Sequence, residues 1–225
     1  MKKHTRLSQQ IILIGTNGTG KTSIATEIMN RTAANGRPVF IVHAEKEEKY
    51  DPVPFVSIKN RQDAAKCKRG IFAIRPTDHE FHRVIKKKYE HSDKVKEEEV
   101  PTNVFTYIEE NVHNALIVFD DVRNYSGNQV QGFFKKMLVN RRQNRQDFLF
   151  MYHGTSDTPP GLWANATDFI LLNTNDDIPP RINPTKKQLI QSLRAIVKEN
   201  VVHNPFFGIH YDLKHNRLIE YPIAA

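Results

Sequence analysis

The stretch GTNGTGKT, Gly15 to Thr22, places Gly15, Gly20, Lys21 and Thr22 at the fixed positions of the pattern GxxxxGK[ST]. A chain of phosphates is cradled by successive backbone N–H groups only where side chains do not hold it off, and glycines at these positions allow that approach. Lys21 adds a point charge that reaches the β- and γ-phosphates, and Thr22 offers its hydroxyl to Mg²⁺. Thr16, Asn17, Gly18 and Thr19 fill the loop, and Ser23 follows it. A plain glycine-rich turn has no need of Lys and Thr at those offsets, so the loop reads as a site for a nucleoside triphosphate with Mg²⁺.

Such a loop works with an acidic strand, and ALIVFDD, Ala115 to Asp121, supplies one. An apolar run ending in a carboxylate describes a buried parallel strand that delivers Asp120 beside the loop, where it holds Mg²⁺ together with Thr22. Asp121, one step on, suits polarising the attacking water. Asp is equally at home starting a turn or capping a helix, and both roles stay open for it.

The elements that must position these groups follow from the apolar pattern. Ile11 to Ile14 reads as a strand before the loop, and residues 20–31 as the helix whose positive end faces the anion. Further strands are expected at 38–43, 115–119, 148–152 and 168–172, with a helix at 127–142. The strand at 148–152 ends in His153 and Gly154, and that at 168–172 in Asn173 and Thr174. Strands alternating with helices imply an α/β fold with a mostly parallel sheet flanked by helices and ligands at the C-terminal strand ends. Residues 1–180 are read as a P-loop ATPase core with a basic insert around 60–112, and 181–225 as an appendage. Within the insert, Gly70 to Ile74 suits an extra strand, Asp78 to Glu90 a basic helix, and 91–103 a charged surface loop. In the appendage, Pro184 to Asn200 suits a helix with Leu189, Leu193, Ile196 and Val197 on one face. Residues 206–223 alternate around a Lys-His-Asn turn as a β-hairpin.

Composition bounds the rest. The 225 residues include 33 Lys plus Arg against 25 Asp plus Glu, a net charge of +8 with the histidines neutral, so a polyanion is a plausible partner beside the plainer reading of a solvated basic surface. Two clusters, Lys66, Lys68, Arg69 and Arg83, Lys86, Lys87, Lys88, suit either role. The lone Cys67 excludes an internal disulfide and a multi-Cys zinc site. His79, His82 and His91 lack a companion Cys or carboxylate pair at ligand spacing, so a metal site there is disfavoured. No apolar run approaches the ~20 residues that cross a bilayer, and MKKHTRLSQQ lacks the apolar core of a signal peptide, so no membrane insertion is expected. Trp163 reads as packing, and Pro159 and Pro160 as fixing a turn. No Asn is followed directly by Lys, so the guanine-specifying NKxD pattern is absent and a GTPase is disfavoured.

One segment chooses among the many chemistries of such a fold. NRRQNRQDFLFMYHGTSDTPPGLWANATDFILLNTND, 140–176, has an Arg-rich helix end, a strand ending in a polar side chain, a Pro-containing turn and another strand. With the P-loop and ALIVFDD, it resembles the HerA/FtsK superfamily of DNA-pumping ATPases, of RecA/ASCE-like fold. The resemblance is closest to the short viral genome-packaging ATPases and the zonula occludens toxin-like assembly ATPases of phages, and it runs from Ile11 to about Asp176. It implies that Gly15, Gly20, Lys21 and Thr22 form the phosphate loop and that Asp120 is the Mg²⁺ carboxylate. The family usually has Glu where this chain has Asp121, and a γ-phosphate-sensing Gln where it has His153. The segment before that strand implies an arginine finger acting on the neighbouring subunit's ATP, with Arg142, then Arg141 and Arg145, as candidates.

The resemblance thus implies an oligomeric ATPase, a ring of five or six copies, that moves double-stranded DNA into a viral capsid at its vertex. Its expected location is the host cytoplasm, with the virion as a second station. An assembly ATPase of the toxin-like type is the alternative, although those usually carry a transmembrane segment. A nucleotide-dependent switch or adaptor without motor activity is another. A small-molecule kinase would require an acceptor pocket and a lid, and no obvious acceptor site is present.

Overall fold

The computed structural model describes residues 8–43, 66–74, 81–88, 95–121 and 132–221. In chain order the elements are β1 (Gln10–Ile14), α1 (Lys21–Ala34), β2 (Pro38–Val42), β3 (Gly70–Ile74), β4 (Phe81–Lys88), β5 (Val95–Thr102), α2 (Val104–Asn111), β6 (Leu116–Phe119), α3 (Gly132–Asn140), β7 (Asp147–Tyr152), α4 (Pro160–Asn165), β8 (Asp168–Leu171), α5 (Pro184–Asn200), β9 (Gly208–Asp212) and β10 (Arg217–Tyr221).

Eight strands form one sheet in the order β10-β9-β8-β1-β7-β6-β2-β3. From β8 to β3 every pairing is parallel, and β9 and β10 add an antiparallel edge. β1, β2, β6, β7 and β8 are buried along their whole length, as unbroken apolar runs must be when helices cover both faces. Alternate residues feed two cores. Leu13, Val118, Leu149 and Met151 meet Ile24, Ala25 and Met29 of α1 on one face. On the other, Ile12, Ile14, Phe119, Phe148 and Phe150 meet α2, α3, α4 and α5. Phe119 and Phe150 stack there with centroids 5.0 Å apart, and Phe134 of α3 meets Phe150 edge-on at 5.6 Å. Truncating one such ring to alanine costs about 3–5 kcal/mol, so this layer fixes the spacing of β6 and β7, which carry the acidic pair and His153.

At the N-terminal ends of the strands, Arg37 Nη1 donates to Asp147 Oδ2 at 2.6 Å and Gln9 N donates to Asp147 Oδ1 at 2.8 Å. This clamp ties the α1–β2 connection to β7.

Two expectations are corrected. The stretch 78–90 is not a basic helix: its described part is the strand β4. The stretch 91–103 is not simply a loop, because β5 pairs antiparallel with β4. Register sets Lys86 opposite Glu97 and Ile85 opposite Glu98, a pairing between two segments that the periodicity of either one cannot display. The extra strand at 70–74 is β3, beside β2. Of the helix expected at 127–142, Gly132–Asn140 is helical and 122–131 lie outside the described residues.

α5 spans Pro184–Asn200, with Asn183 capping it by accepting from Thr185 N. It buries Ile190, Leu193 and Val197, and Leu189 packs against the same core, so the expected face holds except that Ile196 is 38% exposed and Ile190 takes its place. The hairpin β9–β10 turns through Leu213 to Asn216 and joins the main sheet through β8.

Candidate functional site

β1 does not simply end at Ile14. Gly15 N donates to Tyr152 O at 3.2 Å and Thr16 N to Asn173 O at 2.9 Å, so the loop leaves the sheet tethered to the ends of β7 and β8. A Cβ on Gly15 would stand 2.6 Å from Thr19 Oγ1 and 2.7 Å from Leu172 Cβ, and the position therefore takes only glycine. Gly18 and Gly20 have φ of +75° and +93°, the left-handed region in which a side chain is strained. Gly20 caps α1 without a side-chain hydrogen bond, and the first turn carries no acidic residue, an arrangement that suits an anion at this helix end. Lys21 Nζ donates to Gly15 O at 2.6 Å and to Thr16 O at 2.9 Å, and lies 3.5 Å from His153 Nδ1.

The acidic pair comes from β6. Asp120 N donates to Val42 O at 3.0 Å, which orients the residue as the strand ends, and the residue is 7% exposed. Asp121 has a φ of +44°, a turn that swings its side chain to 3.7 Å between Oδ2 and His153 Nε2. His153 thus stands between the Lys21 ammonium on its Nδ1 side and the Asp121 carboxylate on its Nε2 side.

These groups share one cleft of about 540 Å³. Asn17, Gly18, Gly20, Lys21, Thr22, Ser23, Asp120, Asp121 and His153 line it, joined by Met151 and Phe206. Gly15 and Thr16 touch the cleft through their carbonyls, which accept from Lys21 Nζ, and Thr19 Oγ1 donates to Thr16 O at 2.7 Å. Thr22 and Asp120 together fit Mg²⁺, which binds through one or two protein oxygens and keeps waters and phosphate oxygens for the rest. Among the described residues there is no cluster of three or more His, Cys, Asp or Glu placed to hold a metal. Phe206 was not visible as a site residue in the sequence: it lies far along the chain in a turn, and only the topology of β8 and β9 brings it here.

The three arginines are not gathered at this cleft. Their turn precedes β7 and is joined to Asn114 by Asn114 N donating to Asn144 O at 2.9 Å, at the opposite end of the strands. Arg141 is 6% exposed in the single chain, and its Nη1 donates to Leu138 O at 2.9 Å. Burial, followed by the neighbouring Arg142, lowers its pKa from the ordinary arginine value. Arg142 and Arg145 are exposed.

The loop after His153 is fastened to the C-terminal region through Asp176. Its carboxylate accepts from Thr155 Oγ1 at 2.8 Å, Ser156 N at 2.6 Å and Thr174 Oγ1, and Arg194 Nη2 lies 3.3 Å away. Burial pushes the Asp176 pKa up, but the hydrogen bonds from Thr174, Ser156 and Thr155 outweigh it and hold the carboxyl below its ordinary value. Trp163, on α4, is buried as packing, with Nε1 donating to Thr158 O at 3.2 Å.

A mostly parallel sheet with a glycine loop after its central strand, a lysine opening the next helix and an acidic strand two places away is the fold of a P-loop NTPase. Among solved structures the chain is similar to the genome packaging NTPase B204 from Sulfolobus turreted icosahedral virus 2 in complex with ATP-gammaS: 13% identity, TM-score 0.65, over 96% of this chain and 98% of that one. The same protein in complex with AMPPCP gives 13% identity and a TM-score of 0.63 over the same shares. B204, the DNA-packaging ATPase from Sulfolobus turreted icosahedral virus, gives 12% and 0.63, again over 96% and 98%. At these identities the likeness carries the fold. No family model and no curated protein matches the chain.

Proposed function

We propose that this protein is an ATPase that works as a homo-oligomeric ring and drives double-stranded DNA into a viral capsid, in the manner of the HerA/FtsK-type motors. The observation that carries the reading is the convergence of the P-loop, Thr22, Asp120, Asp121 and His153 on one cleft. It is supported by a likeness to viral packaging NTPases that extends over nearly the whole of both chains. The +8 net charge favours a polyanionic partner.

In this reading the Lys21 ammonium and the α1 N-terminus stabilise the charge on the β- and γ-phosphates. Thr22 and Asp120 hold Mg²⁺, which when bound neutralises charge on the phosphate oxygens. Asp121 orients the attacking water, and His153 stands between that carboxylate and Lys21, where it registers the terminal phosphate through its ring N–H. Arg142 and Arg145, exposed at the far end of the sheet, are the residues a neighbouring subunit's cleft would meet. The host cytoplasm and the capsid vertex are the corresponding places of action.

The test is ATP hydrolysis with and without double-stranded DNA, together with the oligomeric mass in ATP. Hydrolysis stimulated by DNA in an oligomer is expected. Turnover that ignores DNA and responds to a protein partner would replace the motor with a switch, and phosphorylation of a metabolite would replace it with a kinase.

A further inference from the structure

The same cleft holds a residue that the phosphate chemistry leaves unused. Phe206 lies on its wall and is 39% exposed, an aromatic ring standing among polar and charged side chains. Its position is fixed. Asn204 N donates to Asn200 O at 3.0 Å, Phe206 N to Asn204 Oδ1 at 3.0 Å and Phe207 N to Asn204 O at 2.9 Å, so the turn after α5 is pinned by its own hydrogen bonds. The neighbouring Phe207 packs against the main core. A Cβ on Gly208 would stand 2.4 Å from Leu172 Cδ2, so the chain there is pressed against the end of β8 with no room to shift inward. One phenylalanine anchors the turn and the other is left at the cleft.

Sheet order gives that ring a direction relative to the phosphates. Asp120 and Asp121 follow β6 and His153 follows β7, all on one side of the loop that follows β1, whereas β8 and β9 lie on the other side. A triphosphate lying along the loop with its terminal phosphate at the acidic pair and His153 therefore extends its nucleoside toward β8 and β9. Phe206 is the apolar surface that waits there.

We infer that Phe206 is the platform on which the nucleobase stacks. The inference rests on the reading of the cleft as a nucleoside triphosphate site and adds which group sets its base preference. A phenyl ring stacks on any base and offers no hydrogen bond, so it favours the larger purines over pyrimidines without choosing adenine from guanine.

The experiment measures binding of two probes to the full chain in Mg²⁺: ATP, and inorganic tripolyphosphate, which has the phosphates without a base. Phe206→Ala is expected to weaken ATP roughly tenfold and to leave tripolyphosphate unchanged, and Phe206→Tyr to restore ATP. Lys21→Ala is expected to weaken both probes. An Ala variant that loses both probes equally shows that Phe206 only shapes the loop, and one that loses neither shows that the base lies elsewhere; each overturns the inference alone. Wild-type protein that binds neither probe overturns the nucleotide reading and this inference with it. Phe206 is 39% exposed and lies outside the buried core, so the Ala variant is expected to unfold only slightly below the wild-type temperature and the Tyr variant close to it.

Discussion

Lys21 Nζ stands 3.5 Å from His153 Nδ1, and His153 Nε2 stands 3.7 Å from Asp121 Oδ2. The loop lysine, the residue after β7 and the second acid after β6 thus form one polar chain across the cleft. A ring held between a cation and a carboxylate can reorient one when the other is drawn to a phosphate. His153→Ala is expected to lower kcat roughly 10²-fold, the scale seen when one preorganised donor is removed, with KM for ATP little changed. His153→Gln, which keeps an N–H donor at similar reach, is expected to retain much of the activity. Steady-state hydrolysis by the two variants checks this, and wild-type kcat in the Ala variant would remove His153 from the machinery.

Asp121 presents its carboxylate from a backbone with φ of +44°. Asn tolerates that conformation as Asp does, so Asp121→Asn removes the charge and leaves the turn. Nucleotide binding is expected to survive while hydrolysis falls by about 10²-fold or more. Full activity in this variant would make Asp121 a turn residue, with Asp120 the working carboxylate.

Much of this site was legible because its signals are local. Gly15, Gly20, Lys21 and Thr22 lie within one stretch of eight residues, and Asp120 follows an apolar run that leaves little choice but a buried strand. The hairpin was legible for the same reason, since Lys214, His215 and Asn216 interrupt an alternating pattern at its turn. What could not be read depends on tertiary neighbours. Arg141, Arg142 and Arg145 look alike in sequence, and only the fold buries Arg141 and turns its Nη1 onto Leu138 O. Val84 and Ile85 sit in a run of Arg and Lys that suits a helix until β5 is there to pair with it. Phe206 reaches the cleft because β9 turns back beside β8.

Asp212 gives the fold a defined response to acid. Its carboxylate takes a hydrogen bond from His215 Nδ1 at 2.6 Å and from the backbone N–H groups of Lys214 and His215, both at 3.0 Å. The bond from the His215 ring, with burial opposing it and the backbone bonds assisting, lowers the Asp212 pKa to about 2. A carboxyl depressed in the folded state contributes stability above its unfolded pKa, near 3.9, and loses it as pH falls through the folded value. Asp212→Ala is therefore expected to lower Tm at pH 5 to 6, with the gap from wild type closing between about pH 4 and pH 2. A gap that stays constant over that range would show that the ionised carboxylate is not what holds the hairpin turn.

Arg142 is exposed in the turn that leads into β7, at the end of the sheet away from its own cleft, where a residue serves catalysis only by reaching another subunit. If it completes the neighbouring site, Arg142→Ala subunits are expected to assemble and bind ATP normally yet hydrolyse it about 10³-fold more slowly, because a finger acts on charge that develops in the transition state. Lys21→Ala subunits fail for a different reason, the loss of their own phosphate loop. Mixed rings contain interfaces that pair an intact loop from one parent with an intact arginine from the other, so combining two inactive proteins is expected to restore part of the activity. A DNA-gripping role for the same arginine predicts otherwise: basal hydrolysis stays near normal, and only DNA stimulation and the salt dependence of DNA binding decline. Mixed rings shown to exchange subunits and still inactive, for Arg142 and again for Arg145, would leave this turn without a finger.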